Sequence, residues 1–405
     1  MKIIDNYELL TKICVDWAIS LKRAIAFSRR KEDRLIEEQA FWVAWAQING
    51  VGSILTKRLQ QQFGTLATAW LASKEQLMQV EGIGLQTVEA IALQKSRLDP
   101  EELFLQHQRQ NPNFWTPNQT DIYPHLLLET ASPPPVLYYL GKVAVAENHG
   151  TTPLVGIVGT RHASEYGKRW TRKISTALAK SGFTVVSGMA EGIDTEAHLG
   201  CLEAGGRTIA VLGTGVDIVY PPRNAELYQK ILSQGLVVSE YSAKTPPDRS
   251  HFPQRNRIIA GLSRAVIVIE APTRSGALIT ARFANDFCRD VYVLPGSLDN
   301  ERSHGCLELI SNGATIILGV EPLLEMLGAM PQLDANPAPQ QLELLQVNLA
   351  PELKRVWEAI AFAAMPMDLI VQQTNMSVGE VSGALLQLEL MDLVSQLPGM
   401  RYQRN

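Results

Sequence analysis

The sequence predicts an α/β fold: a buried, mostly parallel sheet with helices on both faces, flanked by smaller helical segments. Two observations carry that reading. Between 154 and 319, short apolar runs recur and end in Gly, Ser or Glu: LVGIVG, FTVVSG, TIAVLG, LVVSE, AVIVIEA, VYVLPG and TIILG. Most are separated by helical stretches of about ten to eighteen residues. Strands apolar on both faces that alternate with helices belong in a parallel sheet covered on both sides. Ligands of such sheets sit beyond the carboxyl ends of the strands, so chemistry is expected in the loops that follow each run.

Composition bounds the rest. The 405 residues suggest two or three domains. With 46% hydrophobic and 19% charged residues, a sizeable core is expected and wholesale disorder is not. No apolar run reaches the roughly 18 residues of a membrane span. The first residues carry acids and lack a signal-peptide layout, so a cytoplasmic protein is expected. Cys14, Cys201, Cys288 and Cys306 lie far apart and form no C-x-x-C pair, against a disulfide framework or structural zinc. The net charge of −4 does not favour a chain basic all over, but leaves room for one local basic groove.

Residues 1–38 read as a helical extension with mixed charge, most simply a solvated face. Residues 39–98 hold a repeat offset by 32 residues: Ile48-Asn-Gly50-Val-Gly52 and Val80-Glu-Gly82-Ile-Gly84, each opening an amphipathic helix. The pattern resembles a doubled helix-hairpin-helix unit, as in a SAM-like bundle. The helix start after each glycine pair can hold a phosphate. Lys57 and Arg58 favour this at the first hairpin, Glu81 disfavours it at the second, and a plain αα-hairpin is the alternative. Residues 99–135 read as a connector ending at Pro133-Pro134-Pro135, and VLYYLGK as an edge strand opening the main domain, 136–327. Residues 328–348 read as an extended Pro/Ala/Gln linker. Residues 349–405 show three helical stretches and a terminal β-wing, an order that resembles a winged helix. Its expected recognition helix has acids Glu380, Glu389 and Asp392 and no Lys or Arg, so a protein-contact or packing role is expected rather than DNA reading.

The strand-end loops collect anion-binding groups. Gly159-Thr160-Arg161 follows the first run, Ser187-Gly188 the second, and Thr273-Arg274-Ser275-Gly276 the fifth. The loop after the fourth holds Arg249, Phe252, Arg255, Asn256 and Arg257. Backbone donors, hydroxyls and guanidinium groups suit phosphate oxygens, and several such sites in a row suit a nucleic acid backbone. Phe252 and Tyr241 among the arginines offer stacking faces to unpaired bases, which favours single strands. An equal alternative makes Phe252 a loop anchor. The glycines at 188, 192 and 213 have the alternative of close packing, and at least one clustered arginine is expected to pair internally, with Glu270 or Asp286. Asp194 and His198 sit at i and i+4. Without a third partner they point to capping rather than a metal site. G-x-G-x-x-G fails after Gly215, and a P-loop fails at His162, so no nucleotide cofactor is expected.

Gly156-Ile-Val-Gly159-Thr160-Arg161, Val186-Ser-Gly188-Met-Ala-Glu-Gly-Ile-Asp194 and above all His251-Phe-Pro-Gln-Arg-Asn-Arg-Ile-Ile-Ala-Gly-Leu-Ser263 resemble the DNA-processing protein A family (DprA, also called Smf). The resemblance implies a Rossmann-like domain that binds single-stranded DNA without a cofactor. It implies a non-enzymatic recombination mediator that protects incoming strands during natural transformation and helps load RecA on DNA coated with single-strand-binding protein. A homodimer is implied as well. The family's DNA-gripping loop falls on Gly159, Thr160 and Arg161, and its basic residue three before the loop phenylalanine falls on Arg249, where members often carry Lys. Two other functions compete. One is a nucleotide phosphoribohydrolase, whose P-G-G-x-G-T-x-x-E stretch is poorly matched by Ala271-Pro-Thr-Arg-Ser-Gly-Ala277; the other is a structural adaptor with no nucleic acid binding.

Overall fold

The computed structural model describes residues 38–328, 351–360, 365–374, 376–390, 393–397 and 401–404. All but the last residue of the expected extension 1–38, all but the first of the expected linker 328–348, and Asp392 lie outside the described residues. The chain divides into two compact units, Met1–Ala335 and Asn336–Asn405.

The first unit opens with a helix over 38–46, followed by α1 (Ser53–Phe63), α2 (Leu66–Leu71), α3 (Lys74–Leu77) and α4 (Leu85–Lys95). The repeated glycine hairpins are real turns. Gly50 and Gly82 have φ of +90° and +92°, where an L side chain is strained, while Gly52 and Gly84 cap α1 and α4 without a side-chain bond. Buried Trp42, Trp45, Leu59, Leu66 and Ile91 form the bundle's core. The hairpin cations are spent on the fold. Lys57 Nζ donates to the carbonyls of Leu128 and Thr130 at 3.1 and 2.5 Å, and Arg58 binds the Glu81 carbonyl at 2.8 Å and its carboxylate at 3.2 Å.

The expected connector 99–135 is structured. Asp99 accepts from the N–H groups of Glu101 and Glu102, and Pro100 sits at the first turn, so α5 (Pro100–Gln110) begins there. Strand β1 (Phe114–Trp115) and α6 (His125–Glu129) follow, and Trp115, Tyr123 and Leu127 enter the main core. After β2 (Leu137–Gly141) and α7 (Val145–Asn148), the layered pattern runs β3 (Leu154–Val158), α8 (Glu165–Lys180), β4 (Thr184–Ser187), α9 (Ile193–Glu203), β5 (Thr208–Leu212), α10 (Ala225–Gln234) and β6 (Leu236–Ser239). It continues with α11 (His251–Leu262), β7 (Ala265–Val268), α12 (Gly276–Asp286), β8 (Asp290–Val293), α13 (His304–Ser311), β9 (Thr315–Ile316) and α14 (Val320–Gly328).

The nine strands are ordered β1-β2-β6-β5-β4-β3-β7-β8-β9. From β6 to β9 every pairing is parallel, while β2 pairs antiparallel with both β6 and β1. VLYYLGK is therefore not an edge strand as expected: β2 lies between β1 and β6, because the two-residue β1 hides in the Asn/Pro-rich stretch. Alternation sorts the strand side chains between two cores. Val155, Ile157 and Ile267 face α8, α9 and α14, whereas Leu154, Val158, Val266 and Val268 face α11 and α12. The order reverses at β3 and β7, since β4–β6 extend to one side and β8–β9 to the other. Connections diverge there, which opens a crevice at the carboxyl ends.

The second unit holds α15 (Pro351–Ala359), β10 (Met365–Pro366), α16 (Met367–Thr374), α17 (Val378–Leu390), β11 (Val394–Leu397) and β12 (Arg401–Arg404). Its antiparallel sheet is ordered β10-β12-β11, the wing that the sequence suggested. Glu380 and Glu389 are exposed on α17, and Glu380 also accepts from the Ser377 backbone N–H at 2.8 Å.

Two buried polar ties in the first unit govern stability. Arg257 pairs with Glu240 and also donates to the Ser132 carbonyl and, at 3.0 Å, to Ser53 Oγ. It thereby joins α11 to the strand-end loop, the connector and the first hairpin. Burial pushes Glu240 up, and Arg257 opposes this. His198 is fully buried. The Thr208 hydroxyl donates to the Val185 carbonyl at 2.7 Å, so His198 Nδ1 is the donor in its 2.6 Å bond to Thr208 Oγ1. Burial lowers His198 to about 3 and His107 to about 4.

Arg257→Ala is expected to cost about 3–5 kcal/mol, read as a lower denaturant midpoint, because Glu240 is left buried and unpaired. The two histidines are neutral in the fold, while the unfolded chain protonates near its ordinary value of about 6.5. Their contribution is therefore whole above about pH 6.5 and lost as pH falls below it. Thermal unfolding should show a midpoint declining with acid, and His107→Gln should make the decline shallower.

Candidate nucleic-acid interface

The reversal crevice is an open cleft of about 620 Å³. One wall is the β3 loop, Gly159 to His162. This loop lies hard against the start of α9. A Cβ on Gly159 would fall 2.5 Å from Ile193 Cγ1, and one on Gly192 would fall 2.4 Å from the Thr160 carbonyl oxygen, where φ is +81° as well. Thr160 N–H donates to the Glu270 carbonyl at 2.7 Å, and its own carbonyl accepts from Ile193 N–H at 3.2 Å. The Thr160 hydroxyl oxygen accepts from His162 N–H at 3.2 Å and keeps its own proton to donate. Packing and backbone bonds thus fix the loop and leave Arg161 exposed at its tip.

The opposite wall is the start of α11 and the loop before α12. Arg249 is exposed on the cleft. Phe252 is half-buried, anchored on one side and open to the cleft on the other. One ring edge lies where a Cβ on Gly213 would come within 2.9 Å, the Arg161 guanidinium sits 5.5 Å from its centroid, and the Tyr220 ring stacks at 5.4 Å and 29°. Asn256 Nδ2 donates to the Gly276 carbonyl at 3.0 Å, and Ser275 caps α12 by accepting from Ala277 N–H at 3.2 Å. The start of α12 therefore borders the cleft. Arg161 and Arg249 form no ion pair among the described residues.

Gly159, Thr160, Arg161, Arg249, Phe252, Asn256, Ser275 and Gly276 thus converge on one cleft. Of the other expected residues, Ser187, Gly188, Arg255 and Arg257 are committed to the fold, and Arg274 stands outside this cleft. Arg255 forms the floor: it is 4% exposed, and its guanidinium donates to the carbonyls of Gly188, at 2.7 Å, and Val211. Burial lowers it to about 10, against the pull of Asp194, so it stays charged and contributes its field rather than free donors. Gly188 is needed because a Cβ would stand 2.5 Å from Arg255 Nη1. The Ser187 hydroxyl is buried and donates to the Ile157 carbonyl at 2.6 Å. Arg257 faces the Glu240 tie instead of the cleft. Its acid is neither Glu270, which accepts from Ser164, nor Asp286. Arg274 is exposed but lies beyond Ser275, in a neighbouring cleft. Tyr241 stacks on His251 at 3.9 Å and does not line the cleft.

Asp194 is a loop cap, accepting from the N–H groups of Gly188 and Ala190 at 3.1 and 3.3 Å, while His198 turns to Thr208. No group of three or more metal-ligating side chains occurs among the described residues. Tyr220 has no expected role from sequence. Its only signal was an aromatic in a strand-end loop before Pro221-Pro222. No helix among the described residues is long and apolar enough to cross a membrane. The cleft can receive an extended anion with flat apolar groups: two unpaired guanidinium groups at the rim, a third charge in the floor, and a ring pair between them.

Comparison with known proteins shows the family. The DNA recombination-mediator protein A family matches residues 113–328, and the DprA winged helix domain matches 334–400. The chain is 51% identical over 394 residues to Protein Smf of Synechocystis sp., covering 91% of this chain and 99% of that protein. It is 43% identical over 204 residues to DNA processing protein DprA of Streptococcus pneumoniae, covering 50% of this chain and 71% of that protein. The X-ray structure of the S. pneumoniae protein superposes with a TM-score of 0.60 at 32% identity, over 70% of this chain and 95% of that one. The family match, the 51% relative and the shared Rossmann-like sheet agree: this chain belongs to the DNA recombination-mediator protein A (DprA/Smf) family.

Proposed function

We propose that this recombination mediator binds single-stranded DNA in the cleft at the carboxyl ends of β3 and β7, as a binding protein without chemistry of its own. In this reading it protects incoming strands in natural transformation and, as a homodimer, helps load RecA onto DNA that carries single-strand-binding protein. The observation that carries the DNA reading is the joint placement of Arg161, Arg249 and the Tyr220–Phe252 ring pair in one open cleft. Guanidinium groups at the rim meet successive phosphates, and the ring pair receives a base that a duplex would keep stacked. Gly159, Thr160, Ser275 and Gly276 add backbone and hydroxyl donors to the same path. Asp194, the one carboxylate in the lining, is buried and accepts two backbone N–H groups, which suits a clamp better than an acid–base catalyst.

The test is a titration of a fluorescent single-stranded oligonucleotide and its duplex at two ionic strengths. The single strand should bind more tightly, with a log–log salt slope of about −0.7 per phosphate neutralised. Arg161→Ala and Arg249→Ala should each weaken binding across sequences and make the slope shallower by about 0.7. A double variant with unchanged affinity would falsify the assignment. Tyr220→Ala should cost about 1–3 kcal/mol of binding with little change in salt slope, since stacking releases no counterion. Arg255→Ala should instead lower the thermal midpoint, because two carbonyls lose their donor.

A further inference from the structure

A second open cleft, of about 480 Å³, lies on the far side of the Ser275–Gly276 turn. The two clefts share those two residues as a common wall. Its floor and sides come from α12 and α13. Arg274 stands at its near end. Arg282, on α12, lies about 9 Å along the helix axis from Gly276, six residues of helical rise. Both side chains are exposed and form no ion pair among the described residues, although Asp286 is one turn from Arg282 and Glu308 faces it from α13. Asn285 adds an exposed amide.

The shared wall is low for a reason that the protein's own packing does not supply. A Cβ on Gly276 would meet nothing nearer than Asn256 Nδ2 at 3.9 Å, and its φ is not in the left-handed region. Gly159, Gly188 and Gly192 are each required by a neighbour within about 2.5 Å, whereas Gly276 is not. A glycine free of internal demands, placed between two clefts, fits close approach of a ligand.

We propose that the bound single strand crosses the Ser275–Gly276 saddle and continues into this second cleft, where Arg274 and Arg282 hold further phosphates. This rests on the reading that the first cleft binds single-stranded DNA. The first cleft then grips a short core of the strand, and the second adds length-dependent affinity. Glu308, on the opposite side from the two arginines, keeps the backbone on the α12 side by repulsion.

The experiment titrates the full chain with labelled oligo-dT of about 5 and about 20 nucleotides. Arg282→Ala should leave the short oligonucleotide's Kd unchanged and weaken the long one about 5-fold, with a salt slope shallower by about 0.7. Arg282→Lys, which keeps the charge, should restore most of the loss. If Arg282→Ala changes neither length while Arg161→Ala weakens both, the second station is overturned and the first cleft stands. If Arg161→Ala also changes neither, the reading of the first cleft fails. An equal loss at both lengths overturns the proposal. So does an altered molar mass by light scattering with unchanged DNA binding, which would make this cleft an interface between copies of the chain.

Discussion

A buried guanidinium holds the cleft together. Arg255 reaches from α11 under the strand ends and donates to the carbonyls of Gly188 and Val211, just past β4 and at the end of β5. Buried carbonyls without donors cost about 1–3 kcal/mol each, so the charge is retained despite the cost of burial. Asp194 balances it from the start of α9 while gathering two N–H groups of the intervening loop. The first turn of α11 is fixed by this joint. Arg249 and Phe252 lie just ahead of Arg255 in that segment and reach the rim only while the floor is in place.

The five arginines of the strand-end loops illustrate how one residue type divides by partner. Arg257 has Glu240 within reach and becomes a tie between segments far apart in sequence. Arg255 donates to carbonyls, with Asp194 nearby as its counter-charge, and becomes a floor. Arg161, Arg249 and Arg274 form no ion pair among the described residues and remain at the surface, where a polyanion is the natural counter-charge. A chain of net charge −4 can therefore present a cationic groove, because its acids are engaged elsewhere: Glu240 on Arg257, Glu270 on Ser164 and Glu147 on Arg207. The same logic removes the first helix-hairpin-helix copy as a ready phosphate site. Lys57 satisfies carbonyls at the end of α6, where a cation also suits the helix dipole, and Arg58 holds the second hairpin.

Much was legible in the residues themselves. Runs apolar on both faces announced the parallel strands, glycine pairs announced the two hairpins, and the loops at strand ends announced where a ligand binds. These are local or periodic properties, set by backbone sterics and by the need to bury both faces of the sheet. The strand β1 was not legible, because two residues carry no period. For the same reason VLYYLGK read as an edge when it has neighbours on both sides. Helix α5 was signalled by Asp99 and Pro100 and was masked by the Asn and Pro residues that follow.

Which arginine faces the ligand was a different kind of question. Arg255 and Arg257 are two residues apart on α11, so they point to different sides, and each fate depends on what another segment brings within hydrogen-bond distance. For Arg255 that is the backbone of β4 and β5; for Arg257 it is Glu240, Ser132 and Ser53. Tyr220 became a stacking partner only because the β5 loop folds beside Phe252. The layer architecture, the position of the cleft and its supply of cations and rings all follow from the order of residues along the chain. The tertiary structure alone decided which of those groups stay free, because a charge becomes available for a ligand only after every buried carboxylate and carbonyl has found its partner.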